Sequence, residues 1–250
     1  MTTPPLSGRF VDQRVLVTGG GTGIGLAIAQ RFIDEGASVT ITGRREETLS
    51  AVGLPYLVCD ITVESDRARL VDALPDVDVV VNNAGIFSDD WTLNASVHVD
   101  APFALARMYE QSLITRSGSI INIASVGGLV AVPNAAAYSA SKAALIMMTR
   151  SLAVDLGPHG VRVNAVSPGW VRTPMADDEM SVIMQRDGVD LEGAYAVATR
   201  NLPLRRPSRP EEIAGVVAFL ASADASFITG SNIVVDGGSL VVDVGMLAFE

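Results

Sequence analysis

The stretch RVLVTGGGTGIG, residues 14–25 of a 250-residue chain, decides the fold. It begins as a short apolar run typical of a buried strand, passes into a glycine cluster, and leads into apolar residues at helical spacing. Glycines at such a turn let the backbone approach a pyrophosphate, and the helix start offers free N–H groups and the positive end of the helix dipole. This order therefore predicts a dinucleotide site at Gly19, Gly21, Thr22, Gly23, Ile24 and Gly25.

The rest of the chain repeats the alternation of strand and helix. Further strand-like runs lie at residues 38–42, 54–59, 77–81, 118–124, 161–166 and 231–235. Strands that alternate with helices over this length need right-handed crossovers, which build a parallel sheet covered on both faces. We predict an α/β fold, a doubly wound Rossmann-type sheet, as a single domain over residues 1–250. The carboxyl ends of the strands then bring Arg44, Asp60 and Asn83 to the edge that carries the glycine turn.

Composition argues against several classes of function. The chain has 18 Lys and Arg residues against 28 Asp and Glu residues, a net charge of −10, so we expect no nucleic-acid partner. No charged leader is followed by an apolar stretch, and no run of about 18 apolar residues occurs, so we expect no membrane association. The single cysteine, Cys59, follows a strand-like run and fits a structural thiol in a cytoplasmic protein. We find no cluster of metal ligands in the sequence.

Tyr138 and Lys142 stand four residues apart in an Ala-rich run that favours a helix, so both side chains should share one face. An ammonium one turn away favours the ionised phenol, so we expect Lys142 to lower the pKa of Tyr138 and make it an acid/base. The pair also fits a lysine that merely extends past a half-buried ring. Ser125, at the end of the run 118–124, stands thirteen residues before the tyrosine.

The residues after the second strand bear on the choice of cofactor. An NAD site commonly places a carboxylate here to accept from the ribose 2′-OH, whereas arginine accommodates the 2′-phosphate of NADP. Gly43 supplies no carboxylate and Arg44 follows it. We predict NADP and keep NAD as the alternative, because a solvated arginine at a helix start is also common.

Residues 173–206 loosen the regular pattern. Short helical pieces there are interrupted by Gly188 and Gly193 and contain several methionines. Two interpretations stay open: a lid that closes over a substrate, or a surface excursion that only packs.

These motifs together resemble the short-chain dehydrogenase/reductase family. Residues 18–25 resemble its cofactor turn, residues 82–85 resemble its fourth-strand motif, and Ser125, Tyr138 and Lys142 resemble its catalytic set. Further matches, which extend the resemblance almost to the C-terminus, are Pro168, Gly169, Thr229, Gly230 and residues 236–238.

The resemblance implies an NAD(P)-dependent oxidoreductase that moves a hydride between the nicotinamide and a secondary alcohol or ketone. Tyr138 would donate or accept the proton, Lys142 would hold the nicotinamide ribose, and Ser125 would bind the substrate oxygen. Cofactor contacts are implied for Asp60 and Ile61 near the adenine, for Val171 and Thr173 near the carboxamide, and for Asn83, Ala84, Gly85, Pro168 and Gly169. The family also implies a homo-oligomer, commonly a tetramer through paired long helices, in which the tail 241–250 could reach a neighbour's site.

Two features depart from the family pattern. His98 stands where the family usually has an asparagine that supports a water-linked proton relay, and the segment 86–90 is shorter than usual. His98 either takes over the relay, since imidazole donates and accepts, or is a packed histidine that does neither.

The substrate is the least defined part of the prediction. Apolar residues near the expected mouth, Leu129, Val130, Val132 and Trp170, favour a small and fairly apolar alcohol or ketone. The alternatives are a sugar or polyol dehydrogenase or a 3-oxoacyl reductase that uses NAD, and, outside enzymes, a non-catalytic dinucleotide sensor. Ser125, Tyr138 and Lys142 together argue against the sensor, which needs no groups that handle protons.

Overall fold

The structure, a computed structural model, describes residues 8–241 and 243 and contains one seven-stranded parallel sheet. Its strands are β1 (Arg14–Thr18), β2 (Ser38–Gly43), β3 (Tyr56–Val58), β4 (Val79–Asn82), β5 (Ser119–Ile123), β6 (Arg162–Pro168) and β7 (Asn232–Val235). They lie in the order β3-β2-β1-β4-β5-β6-β7. The chain therefore winds outward in both directions from the β1–β4 pair, which confirms the predicted doubly wound fold and places a ligand crevice at that switch point.

The helices that cover the sheet are α1 (Gly23–Asp34), α2 (Glu46–Ser50), α3 (Glu64–Ala73), α4 (Trp91–Ala95), α5 (Ala101–Met108), α6 (Glu110–Arg116), α7 (Ala136–Leu156), α8 (Pro174–Asp187), α9 (Leu191–Thr199) and α10 (Pro210–Ala221). None of the helices within residues 8–241 and 243 is long and apolar enough to cross a membrane.

Each face of the sheet has its own core because side chains alternate along a strand. In β1, Val15 and Val17 face one cluster, which includes Phe32 of α1. Leu16 faces the other cluster, which includes Leu152 of α7. The β-branched runs of the sequence are thus buried on both sides, as a parallel sheet requires.

The sequence predicts one helix from about Trp91 to Glu110, but the structure interrupts it. A π-helical turn at Ser96–Asp100 separates α4 from α5, and Tyr109 separates α5 from α6. Pro102 provides a reason for the first break, because it has no N–H to donate to the carbonyl of His98 four residues earlier. The π turn places His98 in a buried position at the end of β4.

The region 173–206 is more regular than its sequence indicates. It forms α8 and α9, which pack on each other through Ala176, Met180, Ala194 and Tyr195. This segment, predicted either to close over a substrate or only to pack on the surface, is a pair of helices with a small apolar core of its own.

Candidate active site

The glycine turn after β1 has the shape that a dinucleotide needs. Gly19 and Gly23 have φ values of +66° and +53°, which favour glycine. A Cβ on Gly25 would lie 2.2 Å from the carbonyl oxygen of Gly19, so no side chain fits there. At the start of α1, Thr22 makes no side-chain cap and the first turn holds no acidic residue. The first N–H groups are free for an anion, and these residues fit a pyrophosphate.

The end of β4 braces this turn. The Asn83 side-chain amide donates to the carbonyl oxygens of Thr18 and Gly19, at 2.9 and 3.1 Å. In return the Thr18 hydroxyl accepts from the backbone N–H groups of Asn83 and Ala84, at 3.0 and 3.1 Å. Asn83, predicted as a cofactor contact, thus also holds the two central strands together beneath the turn.

The residues predicted for the adenosine end lie at the ends of β2 and β3. Arg44 is exposed, and within the described chain its guanidinium makes no hydrogen bond or ion pair. Asp60 accepts from the backbone N–H and the hydroxyl of Thr62, at 2.9 and 2.7 Å. Ile61 is buried. Arg44 therefore remains available for an anionic group at this end.

The predicted nicotinamide-side residues follow β6. A Cβ on Gly169 would lie 3.0 Å from Asp236, so the two segments pack closely. Val171 is buried and forms an isolated bridge with Ser208. Thr173 caps α8 by accepting from Ala176 at 3.2 Å. The same residue approaches the glycine turn, since a Cβ on Gly23 would lie 3.1 Å from its methyl group.

Ser125 and Tyr138 are brought together by the turn between β5 and α7. The Ser125 hydroxyl oxygen accepts from the N–H of Gly127 at 3.0 Å. A Cβ on Gly127 would lie 3.2 Å from Tyr138 Cε1 and 3.4 Å from Ser125 Oγ, so Gly127 fits between both side chains. The Ser125 hydroxyl also favours the ionised form of the Tyr138 phenol, which lowers the pKa of the tyrosine.

Lys142 is buried below the same ring. Its ammonium donates to the carbonyl oxygen of Ile123 at 2.9 Å and lies 5.8 Å from the centre of the Tyr138 ring. Burial lowers the pKa of Lys142 to about 7. A Cβ on Gly85 would lie 3.7 Å from the Lys142 ammonium, which connects the proton-handling residues to the β4 edge.

The expectation that Lys142 lowers the pKa of Tyr138 is wrong for this structure. Burial is the largest influence on the phenol and raises its pKa, and the charge of Glu179 raises it further. The Lys142 ammonium is turned to the Ile123 carbonyl and is itself disfavoured by burial. The hydrogen bond from Ser125 is the influence that favours the ionised phenol.

Both ring nitrogens of His98 are committed to hydrogen bonds. Nε2 accepts from the backbone N–H of Ile86 at 3.2 Å, and Nδ1 lies 2.9 Å from the Ser141 hydroxyl. The Ser141 hydroxyl donates its only proton to the carbonyl oxygen of Tyr138 at 2.7 Å. Nδ1 must therefore carry the proton that it shares with Ser141, so the imidazole is neutral. Burial first, and the charge of Lys142 second, lower the pKa of His98 to about 2.

Sequence reasoning missed several residues that surround Tyr138. The Phe87 ring packs edge-on against the Tyr138 ring, with 5.0 Å between centroids. Ser141 joins His98 to the tyrosine backbone, and its position three residues after Tyr138 on a helix was the available signal. Phe87 packs on the tyrosine and the charge of Glu179 acts on it from distant segments of the chain, so no local sequence pattern indicates either residue.

Comparisons with known proteins agree over nearly the whole chain. The family model described as enoyl-(acyl carrier protein) reductase matches residues 19–239. "Protein MoaE" of Klebsiella aerogenes is 41% identical over 253 residues, covering 94% of this chain and 98% of that protein. The 3-oxoacyl-(acyl-carrier-protein) reductase of Rickettsia bellii is 37% identical, covering 92% and 98%. The NADP-dependent (R)-specific alcohol dehydrogenase of Lentilactobacillus kefiri is 35% identical, covering 93% and 98%.

Solved structures give the same result. One described as a short chain dehydrogenase/reductase family protein has a TM-score of 0.80 at 37% identity, covering 94% of this chain and 100% of that one. The L-sorbose reductase of Gluconobacter frateurii, solved with NADPH and L-sorbose, has a TM-score of 0.85 at 28% identity, covering 95% and 98%.

Proposed function

The chain belongs to the short-chain dehydrogenase/reductase family, and we propose that Tyr138, Ser125 and Lys142 carry out its proton chemistry. It is an oxidoreductase that uses a nicotinamide dinucleotide and acts on an alcohol or a ketone. The observation that supports the residue roles is that a Cβ on Gly127 would lie 3.2 Å from Tyr138 Cε1 and 3.4 Å from Ser125 Oγ, which places both side chains close to one point.

A nicotinamide dinucleotide held at this edge would supply the hydride chemistry, to a carbonyl carbon in reduction and from an alcohol carbon in oxidation. Tyr138 gives the proton that the substrate oxygen needs in reduction and accepts it in oxidation. Ser125 accepts from Gly127 and keeps its own O–H for donation, so it stabilises negative charge on the substrate oxygen or on the phenol. Lys142 places a buried positive group below the ring and would hold the nicotinamide ribose.

A single substitution tests these roles. Tyr138→Phe should lower turnover of a ketone panel with NADPH by at least about a thousandfold, because a phenyl ring neither donates nor accepts the proton. Nucleotide binding, followed by the fluorescence of NADPH, should persist. Near-normal turnover by the variant would remove Tyr138 from the mechanism.

The preferred cofactor in this proposal is NADP. Arg44 is exposed and unpaired among the described residues, and Gly43 offers no carboxylate for a ribose hydroxyl. Two of the compared proteins are named with NADP or NADPH. Wild-type protein should bind NADPH at least about tenfold more tightly than NADH, since a guanidinium pairs well with a phosphate. Arg44→Ala should weaken NADPH alone, with NADH as the internal control, and equal affinities in the wild type would favour NAD.

His98 acts in this proposal as a positioning residue. Its two hydrogen bonds join the segment after β4 to helix α7 at Ser141. A neutral ring with both nitrogens engaged has no free position for carrying protons.

The substrate in this proposal is a small alcohol or ketone. A 3-oxoacyl thioester is a second candidate, favoured by the name of the Rickettsia relative. Turnover of both classes with NADPH, followed by nicotinamide absorbance, separates the two. The non-catalytic sensor loses support because the relatives include named reductases and dehydrogenases. The cytoplasmic location and the tetramer stay predictions, and the predicted contact of the tail 241–250 with a neighbour falls almost entirely outside the described residues.

A further inference from the structure

A row of buried polar side chains crosses from the sheet to α7. Asn82 at the end of β4, Asn122 in β5 and Thr149 on α7 are all buried, at 4% exposure or less. Asn82 and Asn122 are partners in the strand register. Ile120, two residues before Asn122, belongs to the core cluster that contains Leu152 of α7, so both asparagines point to the face that α7 covers. We call these three side chains the polar network.

The hydrogen bonds of the polar network run in one direction. The Thr149 hydroxyl donates its single proton to the carbonyl oxygen of Leu145 at 2.8 Å. Its oxygen can therefore only accept from a side chain, and it accepts from Nδ2 of Asn122 at 2.8 Å. Oδ1 of Asn122 in turn accepts from Nδ2 of Asn82 at 2.8 Å. Asn122 is thus the central member, and both ends of its amide are committed.

The polar network attaches α7 to β5 at a second point beyond the catalytic residues. Lys142 donates to the carbonyl oxygen of Ile123 at 2.9 Å, and Thr149, seven residues later on α7, binds the side chain of Asn122. Positions seven apart share one face of a helix. Because hydrogen bonds are directional, two of them on one face restrict both the rotation of α7 about its axis and its movement along β5. Tyr138, one turn before Lys142, is positioned by the same helix.

The other end of the polar network lies beside the cofactor turn. Asn82 is followed by Asn83, whose side chain donates to the carbonyl oxygens of Thr18 and Gly19. Oδ1 of Asn82 has no hydrogen-bond partner within the described residues, so the bond to Asn122 is the one that orients its amide. The polar network therefore connects α7, through β5 and β4, to the turn that fits the pyrophosphate.

We propose that Asn122 and Thr149 are positioning residues of the reaction, because their hydrogen bond fixes α7 against β5 and so sets where Tyr138 and Lys142 stand relative to a dinucleotide at the glycine turn. This inference rests on the roles proposed above for Tyr138 and Lys142. Both positioning residues are buried and touch neither substrate nor cofactor in this assignment. Their loss should therefore slow the chemical step and leave NADPH binding nearly unchanged.

Removal of the Thr149 hydroxyl alone tests the proposal. Thr149→Val keeps the shape of the side chain and leaves the Asn122 amide without its acceptor. For the ketone that the wild type reduces fastest, this variant should lower kcat per NADPH-binding site at least about tenfold and change the Kd of NADPH less than about threefold. Counting sites by NADPH fluorescence removes the effect of protein that fails to fold. Thr149→Ser, which restores the hydroxyl, should recover most of the rate.

Asn164 of β6 provides a matched control, because it is buried in the sheet as Asn122 is. Its side chain donates to the carbonyl oxygen of Ile228 and accepts from the N–H of Ser231, and neither partner belongs to α7. Asn122→Ala and Asn164→Ala should both lower the free energy of unfolding, but only Asn122→Ala should lower kcat per site. An equal fall in Asn164→Ala, an unchanged rate in Thr149→Val, or a Thr149→Ser variant as slow as Thr149→Val would overturn the proposal.

Hydrogen exchange separates this inference from the proposed function. Without substrate, the backbone amides of residues 138–149 should exchange faster in Thr149→Val than in the wild type, and those of α10 should not. Unchanged exchange in α7 would overturn the inference while the oxidoreductase function stands. A wild type that turns over no alcohol or ketone would instead overturn the proposed function, and exchange in α7 would still report whether the polar network holds the helix.

Discussion

The surroundings of Tyr138 favour its protonated form. Burial and the charge of Glu179 raise the pKa of the phenol, and only the hydrogen bond from Ser125 lowers it. The protonated phenol is thus favoured in this structure, and the Ser125 hydroxyl is the group that favours the ionised form. The acid/base predicted from Tyr138 and Lys142 therefore also depends on Ser125 and Glu179, which act on the phenol.

The pH dependence of kcat/KM for alcohol oxidation should change in Glu179→Gln. Glu179→Gln removes a negative charge that raises the pKa of Tyr138, so the pKa should fall. Oxidation needs the ionised phenol, so the rise of kcat/KM with pH should move to lower pH, by roughly half a unit to one unit. Isopropanol with NADP, followed by absorbance from pH 5 to 10, provides a neutral substrate. Asp178→Asn is the matched control, and a shift to higher pH would contradict the stated charge effect.

His98 should make the free energy of unfolding depend on pH. The pKa of His98 is lowered from 6.5 to about 2 in the folded protein, so between these values the unfolded state binds the extra proton. The stability due to the neutral ring is fully present above about pH 6.5 and is lost as pH falls, at up to ~1.4 kcal/mol per pH unit. Urea unfolding between pH 7 and 5 measures this slope.

Two variants separate the effect of protonating His98 on stability from the effect of losing its two hydrogen bonds. His98→Asn keeps one donor and one acceptor, so it should retain most activity and lose the part of the slope due to His98. His98→Ala leaves the Ile86 N–H and the Ser141 hydroxyl without their partner and should lower the free energy of unfolding by about 2–4 kcal/mol. An unchanged slope in His98→Asn would show that the ring does not resist protonation.

The turn between β5 and α7 sets the distance from Ser125 to Tyr138 and Lys142 of α7. Gly128 touches the backbone of α7: a Cβ there would lie 2.7 Å from the carbonyl carbon of Lys142 and 2.8 Å from the nitrogen of Ala143. Backbone atoms cannot give way as a side chain does, so an added methyl group must push the turn away from the helix. Ser125 lies at the start of this turn and would move with it.

Gly128→Ala should therefore lower kcat by about a hundredfold or more, because a displacement of about 1 Å is enough for losses of this size. NADPH binding, which depends on the glycine turn after β1, should change by less than about threefold. Gly157→Ala is the control, since nothing lies within 4 Å of its added Cβ and its φ is −55°. Normal turnover by Gly128→Ala would show that the turn does not position Ser125.

Most elements were predictable because their signals are local. Apolar runs located the strands, and the glycines located the cofactor turn, where even a Cβ at Gly25 meets the Gly19 carbonyl. The broken helix after Trp91 had a local signal too, since Pro102 cannot donate to His98, but the apolar pattern continued through it. The environment of Tyr138 was not predictable, because Phe87 packs on it and the charge of Glu179 acts on it from distant segments, and because burial raises the pKa of the phenol.

An ion pair links α5 to α7, and both helices expose apolar side chains. The Arg107 guanidinium of α5 donates to Asp155 of α7 at 3.0 Å. Next to this contact, Phe103 is 45% exposed, Met147 57% and Val154 75%. Met147 and Val154 are seven residues apart and therefore share one face of a long helix. Large apolar side chains left exposed on linked helices favour an interface at this face.

We therefore expect these helices to pair between copies of the chain, which is how the predicted tetramer would form. Light scattering after size exclusion should give about four times the 26.2 kDa chain mass. Val154→Lys should yield smaller species, because a buried and unpaired ammonium in an interface is unfavourable by several kcal/mol. Val182→Lys is the matched control, since Val182 is 67% exposed on α8, away from this surface. A monomeric wild type, or a Val154→Lys variant of unchanged mass, would mean that this face does not form the interface. Loss of the tetramer with activity retained would show that each chain builds its own site, as the contacts among Ser125, Tyr138 and Lys142 within one chain indicate.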